Sequence, residues 1–378
     1  MPLRLSQRIQ NIEASKTARF LPLMEELKRQ GRPVISLAIG EPAVDTPKAI
    51  IDATKAALDR QQTKYSAIAG LIELKSALSD QFNGSCPDNI VIFNGSKQAL
   101  YTLFQTICNA GDEVIIPIPC WVSFSEQVRL AGGRPVFVQT RGHQLDLDAI
   151  EKSITEKTKA IVINSPNNPT GAVYPREALE KIADMAERNN FFLIADEAYH
   201  FFVYDNQPFA SLYEFTHVRD RLVLTRSFSK HYAMTGFRVG YAVAPQSIAS
   251  AMVRLHSHST GNVCTFAQHG AQAALEMEAT ELEQRRLDLQ RKRDLAYEQI
   301  ANIFPCILPQ GAFYLFPDVS KHLKNGETSG DFAARILAKT AVALVPGEDF
   351  GLEGHVRICF DAPDGQLMEA FNRIREVL

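Results

Sequence analysis

The chain has 378 residues, 46% of them hydrophobic, which is enough for two domains or for one large domain with a lobe. Its 40 basic and 43 acidic residues give a formal net charge of −3, which excludes the basic excess typical of proteins that bind nucleic acid or anionic membranes. The six cysteines lack a CxxC pair or zinc-ligand spacing, and we identify no secretory signal and no membrane span, so we expect a cytoplasmic protein with reduced thiols.

From residue 89 onward, short β-branched runs alternate with segments of helical periodicity. The runs are "NIVIF" (89–93), "DEVIIP" (112–117), "AIVIN" (160–164), "FFLIAD" (191–196) and "RLVLT" (221–225). This alternation predicts an α/β fold with a mostly parallel sheet that is covered by helices on both faces.

A second, smaller α+β domain is predicted downstream. A long charged helical pattern follows residue 279, and "GAFYLFPD" and "HVRICF" resemble strands. We expect the N-terminal arm to join this part. The predicted division is a large domain over residues 45–279 and a small domain formed by residues 1–44 and 280–378.

Residues that could bind a ligand or take part in catalysis follow each of the five predicted strands. In parallel sheets, ligands bind beyond the carboxyl ends of the strands, so we expect these residues to converge on one edge. In chain order they are Gly95, Ser96 and Lys97; Trp121, the only tryptophan; Asn168; Asp196 and Tyr199; and Ser227, Lys230 and Arg238.

The stretch Gly95 to Lys97 opens a helix, where unpaired N–H groups and the helix dipole favour a phosphate. A Gly-Ser helix start is also an ordinary cap, and this stretch is neither GxxxxGK[ST] nor GxGxxG, which disfavours ATP and NAD. Ser227 and Arg238 could donate to the same phosphate, although an arginine considered alone is more often a surface ion-pair residue.

Asp196 follows four apolar residues, so it is either a helix cap or a desolvated carboxylate that holds a protonated ring nitrogen. Tyr199 and Asn168 could bond a ring hydroxyl, and Trp121 could stack on a flat ring, although each also fits a turn or a core. A lysine near cations, such as Lys230, has the lowered pKa needed to attack a carbonyl. Pyridoxal phosphate is one ligand that accounts for all these features.

The motifs "NGSKQAL", "SPNNPTG", "DEAY", "SFSKHYAMTGFRVGY", "VPGEDF" and "VRICF" occur in this order. Over residues 15–375 the chain resembles class I aminotransferases of fold type I, particularly the bacterial subgroup of aspartate, aromatic and kynurenine aminotransferases. The resemblance implies an amino-acid:2-oxo-acid aminotransferase that uses pyridoxal 5'-phosphate. Its expected acceptor is 2-oxoglutarate, and its expected donors are dicarboxylic with some aromatic or large apolar amino acids.

The resemblance also implies residue roles. Lys230 would bond covalently to the cofactor and carry the transferred proton, and Asp196 would pair with the ring nitrogen. Tyr199 and Asn168 would bond the ring oxygen, and Trp121 would stack on the ring and border the substrate. The phosphate would be held by Gly95, Ser96, Lys97, Ser227 and Arg238.

For the substrate, the resemblance implies that Arg357 in "VRICF" binds the α-carboxylate, with Gly40 and Asn168 lining that end. Tyr65 in "KYSAIAG" resembles the tyrosine that reaches the phosphate of a neighbouring subunit, which implies a homodimer with sites at the interface. We expect no nucleic-acid, membrane or metal partner.

One motif departs from the family, because "HSHSTGN" (256–262) lacks the arginine that some relatives use for a distal carboxylate. A cation of the N-terminal arm, Lys16 or Arg19, could replace it. Two alternatives remain open: a carbon–sulfur β-lyase on the same fold, and a ligand-sensing regulator with an aminotransferase-like domain. The absence of a DNA-binding segment before Ser15 and of a basic excess disfavours the regulator.

Overall fold

The computed structural model describes residues 5–10, 12 and 20–378. Its strands are β1 (Ile35–Ser36), β2 (Ile90–Phe93), β3 (Glu113–Ile118), β4 (Arg134–Gln139), β5 (Thr158–Asn164), β6 (Phe192–Asp196), β7 (Leu222–Ser227), β8 (Gly240–Val243), β9 (Tyr314–Leu315), β10 (Val342–Ala343), β11 (Val345–Pro346) and β12 (Val356–Cys359).

Helices precede, separate and follow these strands. They are α1 (Gln7–Gln10), α2 (Leu21–Arg29), α3 (Lys48–Asp59), α4 (Ile72–Ser79), α5 (Ser96–Ile107), α6 (Ser123–Leu130), α7 (Leu147–Ser153), α8 (Arg176–Asn189), α9 (Phe228–His231), α10 (Gln246–Ser259), α11 (Thr265–Leu275), α12 (Ala279–Ala301), α13 (Ser329–Thr340) and α14 (Asp364–Arg375).

The main sheet has seven strands in the order β2-β8-β7-β6-β5-β3-β4. β8 runs antiparallel to the other six strands, which are parallel to one another, so the predicted mostly parallel sheet is confirmed. The five predicted strands all form. The sequence patterns did not predict β4 or β8.

Both faces of this sheet are buried under helices. In β2, Ile90 and Ile92 belong to one apolar cluster, while Val91 and Phe93 belong to another. This period of two places alternate side chains on opposite faces. The first cluster includes residues of α3, α4, α7, α8 and α11, and the second includes residues of α5, α6 and α10. Burial on both faces explains why the strands are continuously apolar.

A smaller α+β part packs beside the large sheet. It contains an antiparallel sheet in the order β11-β12-β9 and a two-stranded parallel sheet of β1 with β10. Its apolar core draws on α12, α13 and α14 and also includes Tyr199, Phe202 and Tyr204, which follow β6. The second core therefore extends to the edge of the large sheet where β6 ends.

Within the described residues, no helix is long and apolar enough to cross a membrane. The same residues contain no group of three or more His, Cys, Asp or Glu side chains arranged to hold a metal ion.

Candidate active site

The carboxyl ends of β2, β3, β5, β6 and β7 meet at a cleft of about 410 Å³, which we call the active-site cleft. Most of the residues proposed from sequence line it together: Gly40, Ser96, Lys97, Trp121, Asn168, Asp196, Tyr199, Ser227, Lys230, Arg238 and Arg357. Gly95 immediately precedes Ser96. The convergence follows from the parallel sheet, which brings the ends of its strands to one edge.

Tyr65 is the exception, because it lies outside the active-site cleft of its own chain. Its side chain is 98% exposed and borders a separate surface pocket with Gln61 and Thr265. Lys16 and Arg19, the arm cations considered above, lie outside the described residues.

One end of the cleft is built around the start of α5. Gly95 has φ of 80°, and a Cβ atom there would lie 2.8 Å from Nη2 of Arg238, so the guanidinium packs directly on the glycine. Nη1 of Arg238 donates to the Thr235 carbonyl at 2.9 Å and lies 3.5 Å from Oγ of Ser229. A helix N-terminus and a guanidinium thus point into the same space, which suits a phosphate. We call Gly95, Ser96, Lys97, Ser227 and Arg238 the anion cradle.

Asp196 ends β6 as a buried carboxylate. Its side chain accepts the Ala198 N–H at 3.2 Å, and the part of the chain that the structure describes offers it no ion-pair partner. Burial raises the pKa of Asp196 to about 7, and the adjacent Glu197 contributes in the same direction. A buried carboxylate of this kind is stabilised by a cationic ligand group.

Lys230 lies in α9, one turn beyond the end of β7. Its Nζ donates to the carbonyl of Gly40 at 2.6 Å. Burial lowers the pKa of Lys230 to about 8, with the charges of Arg238 and Arg357 acting in the same direction against Cys359 and Glu41. A larger fraction of neutral amine makes this lysine a better nucleophile and base near neutral pH.

Arg357 of β12 closes the opposite end of the cleft. Nη1 donates to Oδ1 of Asn168 at 3.0 Å and Nη2 donates to the Ala38 carbonyl at 2.6 Å, whereas Nε is buried and finds no partner in the described part of the chain. The side chain stacks on Tyr314, and no carboxylate of the described residues pairs with it. A buried guanidinium without a counter-charge favours an anionic ligand.

Two aromatic residues complete the cleft. The hydroxyls of Tyr199 and Tyr314 are 2.8 Å apart, and a Cβ atom on Gly40 would meet the Tyr314 hydroxyl at 2.2 Å, so a side chain at residue 40 would clash. Sequence reasoning missed Tyr314. The only available signal was its place in the strand pattern "GAFYLF", which does not indicate that the side chain faces the cleft.

Lys97 and Trp121 form one wall. The Lys97 Nζ lies 4.9 Å from the centroid of the Trp121 ring, within the range of a cation–π contact. Partial burial lowers the pKa of Lys97, and Arg238 adds to this effect. The backbone N–H of Lys97 thus belongs to the start of α5, whereas its ammonium group lies over the indole.

These features fit pyridoxal phosphate. The anion cradle suits its phosphate, Asp196 suits a protonated ring nitrogen, Trp121 offers a flat face and Lys230 an amine with a lowered pKa. The cleft contains two subsites that suit an anion, one at the anion cradle and one at Arg357, and Lys230 lines the same cleft. This arrangement suits one phosphorylated cofactor and one carboxylate substrate.

Comparisons with known proteins agree with this arrangement. Residues 32–374 match the family described as "Aminotransferase class I and II". The chain is 38% identical to a probable aspartate/prephenate aminotransferase of Aquifex aeolicus, with 99% of this chain and 98% of the relative covered. It is 39% identical to an aspartate aminotransferase of Bacillus sp. strain YM-2, with 98% of each covered.

Solved structures match over the full length as well. An aspartate aminotransferase from Thermus thermophilus with maleate superposes with a TM-score of 0.94 at 37% identity, covering 100% of both chains. An aspartate aminotransferase from Thermotoga maritima gives a TM-score of 0.93 at 35% identity, covering 98% of this chain and 99% of that one. The predicted fold type, cofactor and enzyme class are therefore confirmed: the chain belongs to the class I and II aminotransferases, and it is a pyridoxal-phosphate-dependent transferase that acts on amino acids and 2-oxo acids.

Proposed function

We propose that this aminotransferase uses dicarboxylic donors of the aspartate and glutamate type with 2-oxoglutarate as acceptor, and that it also accepts some aromatic or large apolar donors. The observation that carries this proposal is the Arg357 guanidinium, which is buried without a counter-charge in the cleft that holds Lys230. A single strong carboxylate subsite near a reactive lysine suits α-amino and 2-oxo acids as a class.

We assign the cofactor contacts from the same geometry. Asp196 holds the protonated ring nitrogen, Tyr199 and Asn168 bond the ring oxygen, and Trp121 stacks on the ring. The anion cradle binds the phosphate. Each assignment rests on a side chain or backbone group that lines the active-site cleft or its edge.

When bound, pyridoxal phosphate supplies an electron sink for the electrons released at the substrate Cα. Lys230 anchors the cofactor through its Nζ. The same amine then acts as a base, removing one proton from the substrate Cα, and later as an acid, releasing that proton to complete the transfer. The lowered pKa of Lys230, about 8, allows both protonation states near neutral pH. Arg357 orients the substrate by its α-carboxylate, which fixes the Cα–H bond relative to the lysine.

The side chain of the amino-acid donor would contact both apolar and cationic groups of the cleft. Leu21, Met24 and Ile39 contribute apolar surface to the cleft, and Leu21 and Ile39 are half exposed there. The ammonium of Lys97 provides a cation over Trp121, which could meet a distal carboxylate. Relatives named aspartate and aspartate/prephenate aminotransferase support a range that includes acidic donors.

We further propose a homodimer in the cytoplasm, with Tyr65 of each chain contributing to the site of the other. The support is that Tyr65 is 98% exposed and distant from the cleft of its own chain. We also propose that the boundaries of the two domains lie at residues 45 and 279.

A donor screen with 2-oxoglutarate, measured as glutamate formed, tests the proposed range. We expect aspartate and at least one aromatic amino acid to react, and Lys230→Ala to abolish both reactions. Use of a single donor would contradict the proposed range. Pyruvate released from cystathionine without any 2-oxo acid would instead identify the β-lyase, and specific binding of amino acids without turnover would identify the sensor.

A further inference from the structure

The side chain of Gln98 connects the start of α5 to the end of α10. Its Oε1 accepts the backbone N–H of Asn94 at 2.7 Å and the Asn94 side-chain amide at 3.0 Å. Its Nε2 donates to Oγ1 of Thr260 and lies 3.3 Å from Nδ1 of His256. One glutamine therefore joins the residue before Gly95 to a segment more than 150 positions away.

The orientation of this amide is fixed by its partners. A backbone N–H can only donate, so the Gln98 oxygen must face Asn94 and the NH2 group must face α10. The NH2 group needs acceptors there, and Nδ1 of His256 and the hydroxyl of Thr260 are in place, 2.9 Å from each other. The lone pair of Nδ1 is available only if the imidazole is neutral and carries its proton on Nε2.

The surroundings of His256 favour that neutral form. The residue is fully buried, its ring lies 4.8 Å from that of Phe93 at the end of β2, and its Nε2 has no partner among the residues that the structure describes. Burial lowers the pKa of His256. A buried, neutral imidazole therefore accepts from the Gln98 amide, whose oxygen in turn accepts from Asn94.

Asn94 leads directly into the anion cradle. Its carbonyl lies 3.5 Å from Nη2 of Arg238, and the next residue, Gly95, packs against the same guanidinium. Fixing the Asn94 peptide therefore fixes both the path of the chain into α5 and one contact of Arg238. Small displacements of such donors weaken a phosphate contact strongly because charge-assisted hydrogen bonds depend on geometry.

We propose that Gln98, held by neutral His256 and Thr260, is a positioning residue that sets the geometry of the anion cradle and thereby the affinity for the cofactor phosphate. This inference rests on the proposed assignment of the cradle to the phosphate. Gln98 does not line the active-site cleft itself, so it acts through Asn94.

The test measures binding to the cofactor-free enzyme through fluorescence of Trp121, the only tryptophan. Titrations compare pyridoxal phosphate with pyridoxal, which lacks the phosphate. Gln98→Met keeps the length of the side chain but removes its hydrogen bonds to Asn94, His256 and Thr260. We expect it to weaken binding of pyridoxal phosphate about ten-fold, as for the loss of one or two hydrogen bonds, and to leave pyridoxal affinity within about two-fold.

Two substitutions of His256 separate positioning from general packing. His256→Asn can place Oδ1 where Nδ1 accepts the Gln98 amide, so we expect near wild-type affinity for pyridoxal phosphate. His256→Leu removes one of the two acceptors of the Gln98 amide and leaves Thr260, so we expect weaker binding of pyridoxal phosphate than in wild type, by less than the loss seen in Gln98→Met. Equal affinities in the two His256 variants would overturn the proposal.

Two further variants serve as controls. Asn89→Ala removes a similar amide bridge at the other end of β2, where Asn89 donates to Ala244 and accepts from Cys86, and we expect no change in the ratio of the two affinities. Arg238→Ala tests the cradle itself and should lower that ratio. If Arg238→Ala lowers the ratio but Gln98→Met does not, the positioning role is wrong; if neither lowers it, the assignment of the cradle is wrong.

Discussion

Asp196 and Lys230 show opposite pKa shifts with the same main cause. Burial penalises the charged form of each, which raises the pKa of the carboxyl to about 7 and lowers the pKa of the ammonium to about 8. Within the cofactor-free protein these two groups are therefore costly to charge. A ligand that brings a cation to Asp196 and a carbonyl to Lys230 relieves the free-energy cost of charging each buried group. Binding of such a ligand is favoured for this reason.

The raised pKa of Asp196 makes the effect of Asp196→Asn on stability depend on pH. Because the folded pKa of about 7 exceeds the ordinary value of 3.8, the folded cofactor-free protein binds more protons than the unfolded chain between these pH values. Its stability therefore falls as pH rises through that window. We expect Asp196→Asn to be more stable than wild type by about 2–4 kcal/mol at pH 8, with the difference shrinking toward pH 5.

Urea denaturation of the cofactor-free proteins at both pH values measures this difference. Asp220→Asn is a matched control, because Asp220 is 68% exposed and should show little effect at either pH. The same Asp196→Asn variant should bind pyridoxal phosphate more weakly, since an amide cannot neutralise a ring cation. A stability gain of equal size at pH 5 and pH 8 would contradict the shifted pKa.

Arg357 and Lys97 should differ in how they affect donors. Arg357 is proposed to bind the α-carboxylate common to all donors, so Arg357→Ala should lower kcat/KM for aspartate and phenylalanine alike, by about 10²-fold or more. The Lys97 ammonium lies over Trp121, and we propose that it meets the distal carboxylate of acidic donors, so Lys97→Ala should lower aspartate use more than phenylalanine use. Steady-state kinetics with both donors decide this. Equal losses in Lys97→Ala would instead assign its ammonium to the phosphate.

At the scale of elements, β8 sets how closely α5 approaches the sheet. A Cβ atom on Gly240, the first residue of β8, would lie 2.6 Å from the Ser96 nitrogen, 2.8 Å from the Gly95 carbonyl carbon and 2.9 Å from the Arg226 oxygen. All three are backbone atoms, which cannot move aside as a flexible side chain can. The start of α5, and with it the anion cradle, therefore depends on a glycine in the neighbouring strand.

Gly240→Ala should consequently displace α5 from β8. We expect a loss of about 2–3 kcal/mol in the free energy of unfolding, as for overpacked core sites, and weaker binding of pyridoxal phosphate. Gly236→Ala is the control, because the described residues other than its two chain neighbours place no heavy atom within 4 Å of the added Cβ there. Chemical denaturation and cofactor titration measure the two effects. Unchanged stability in Gly240→Ala would mean that α5 can shift without cost.

The same elements show what the sequence can predict. Lys230, Asp196 and Asn168 were identifiable because each follows a strongly apolar strand, and parallel topology forces strand ends together. By contrast, β4 was missed because it contains Arg134 and Pro135 and is half exposed, and β8 because it lies within the motif that follows Lys230. Periodicity is weak in short strands.

Contacts between segments that are distant in the sequence could not be predicted from it either. Tyr314 meets Tyr199 across 115 positions, and Gln98 meets Thr260 across 162. Neither pair shares a local pattern, since each depends on how a strand or helix packs against another part of the fold. The residues that line the active-site cleft at the strand ends were therefore easier to predict than those that contact them from other parts of the fold.

Within a single chain, one predicted site residue, Tyr65, does not line the active-site cleft. Tyr65 follows α3, is 98% exposed and lies beside Thr265 at the start of α11. An exposed aromatic ring makes little stabilising contact within its own chain. Its hydroxyl would gain a phosphate partner if a second copy of the chain placed its anion cradle beside Tyr65. The homodimer that we propose would make each site depend on two chains.

Hybrid dimers test that dependence. We propose to mix Lys230→Ala and Tyr65→Ala proteins, each impaired alone, and to let the subunits exchange. If Tyr65 serves the neighbouring chain, every hybrid has one site that lacks both residues and one that is intact, because the intact site takes Lys230 from one chain and Tyr65 from the other. Random exchange makes about half of the dimers hybrids, so activity should rise to about a quarter of the wild-type value. If Tyr65 acts within its own chain, no hybrid site is intact and mixing should restore nothing. Different affinity tags on the two variants allow the hybrid dimers to be isolated, so that a failure to recover activity counts against the role of Tyr65 and not against exchange.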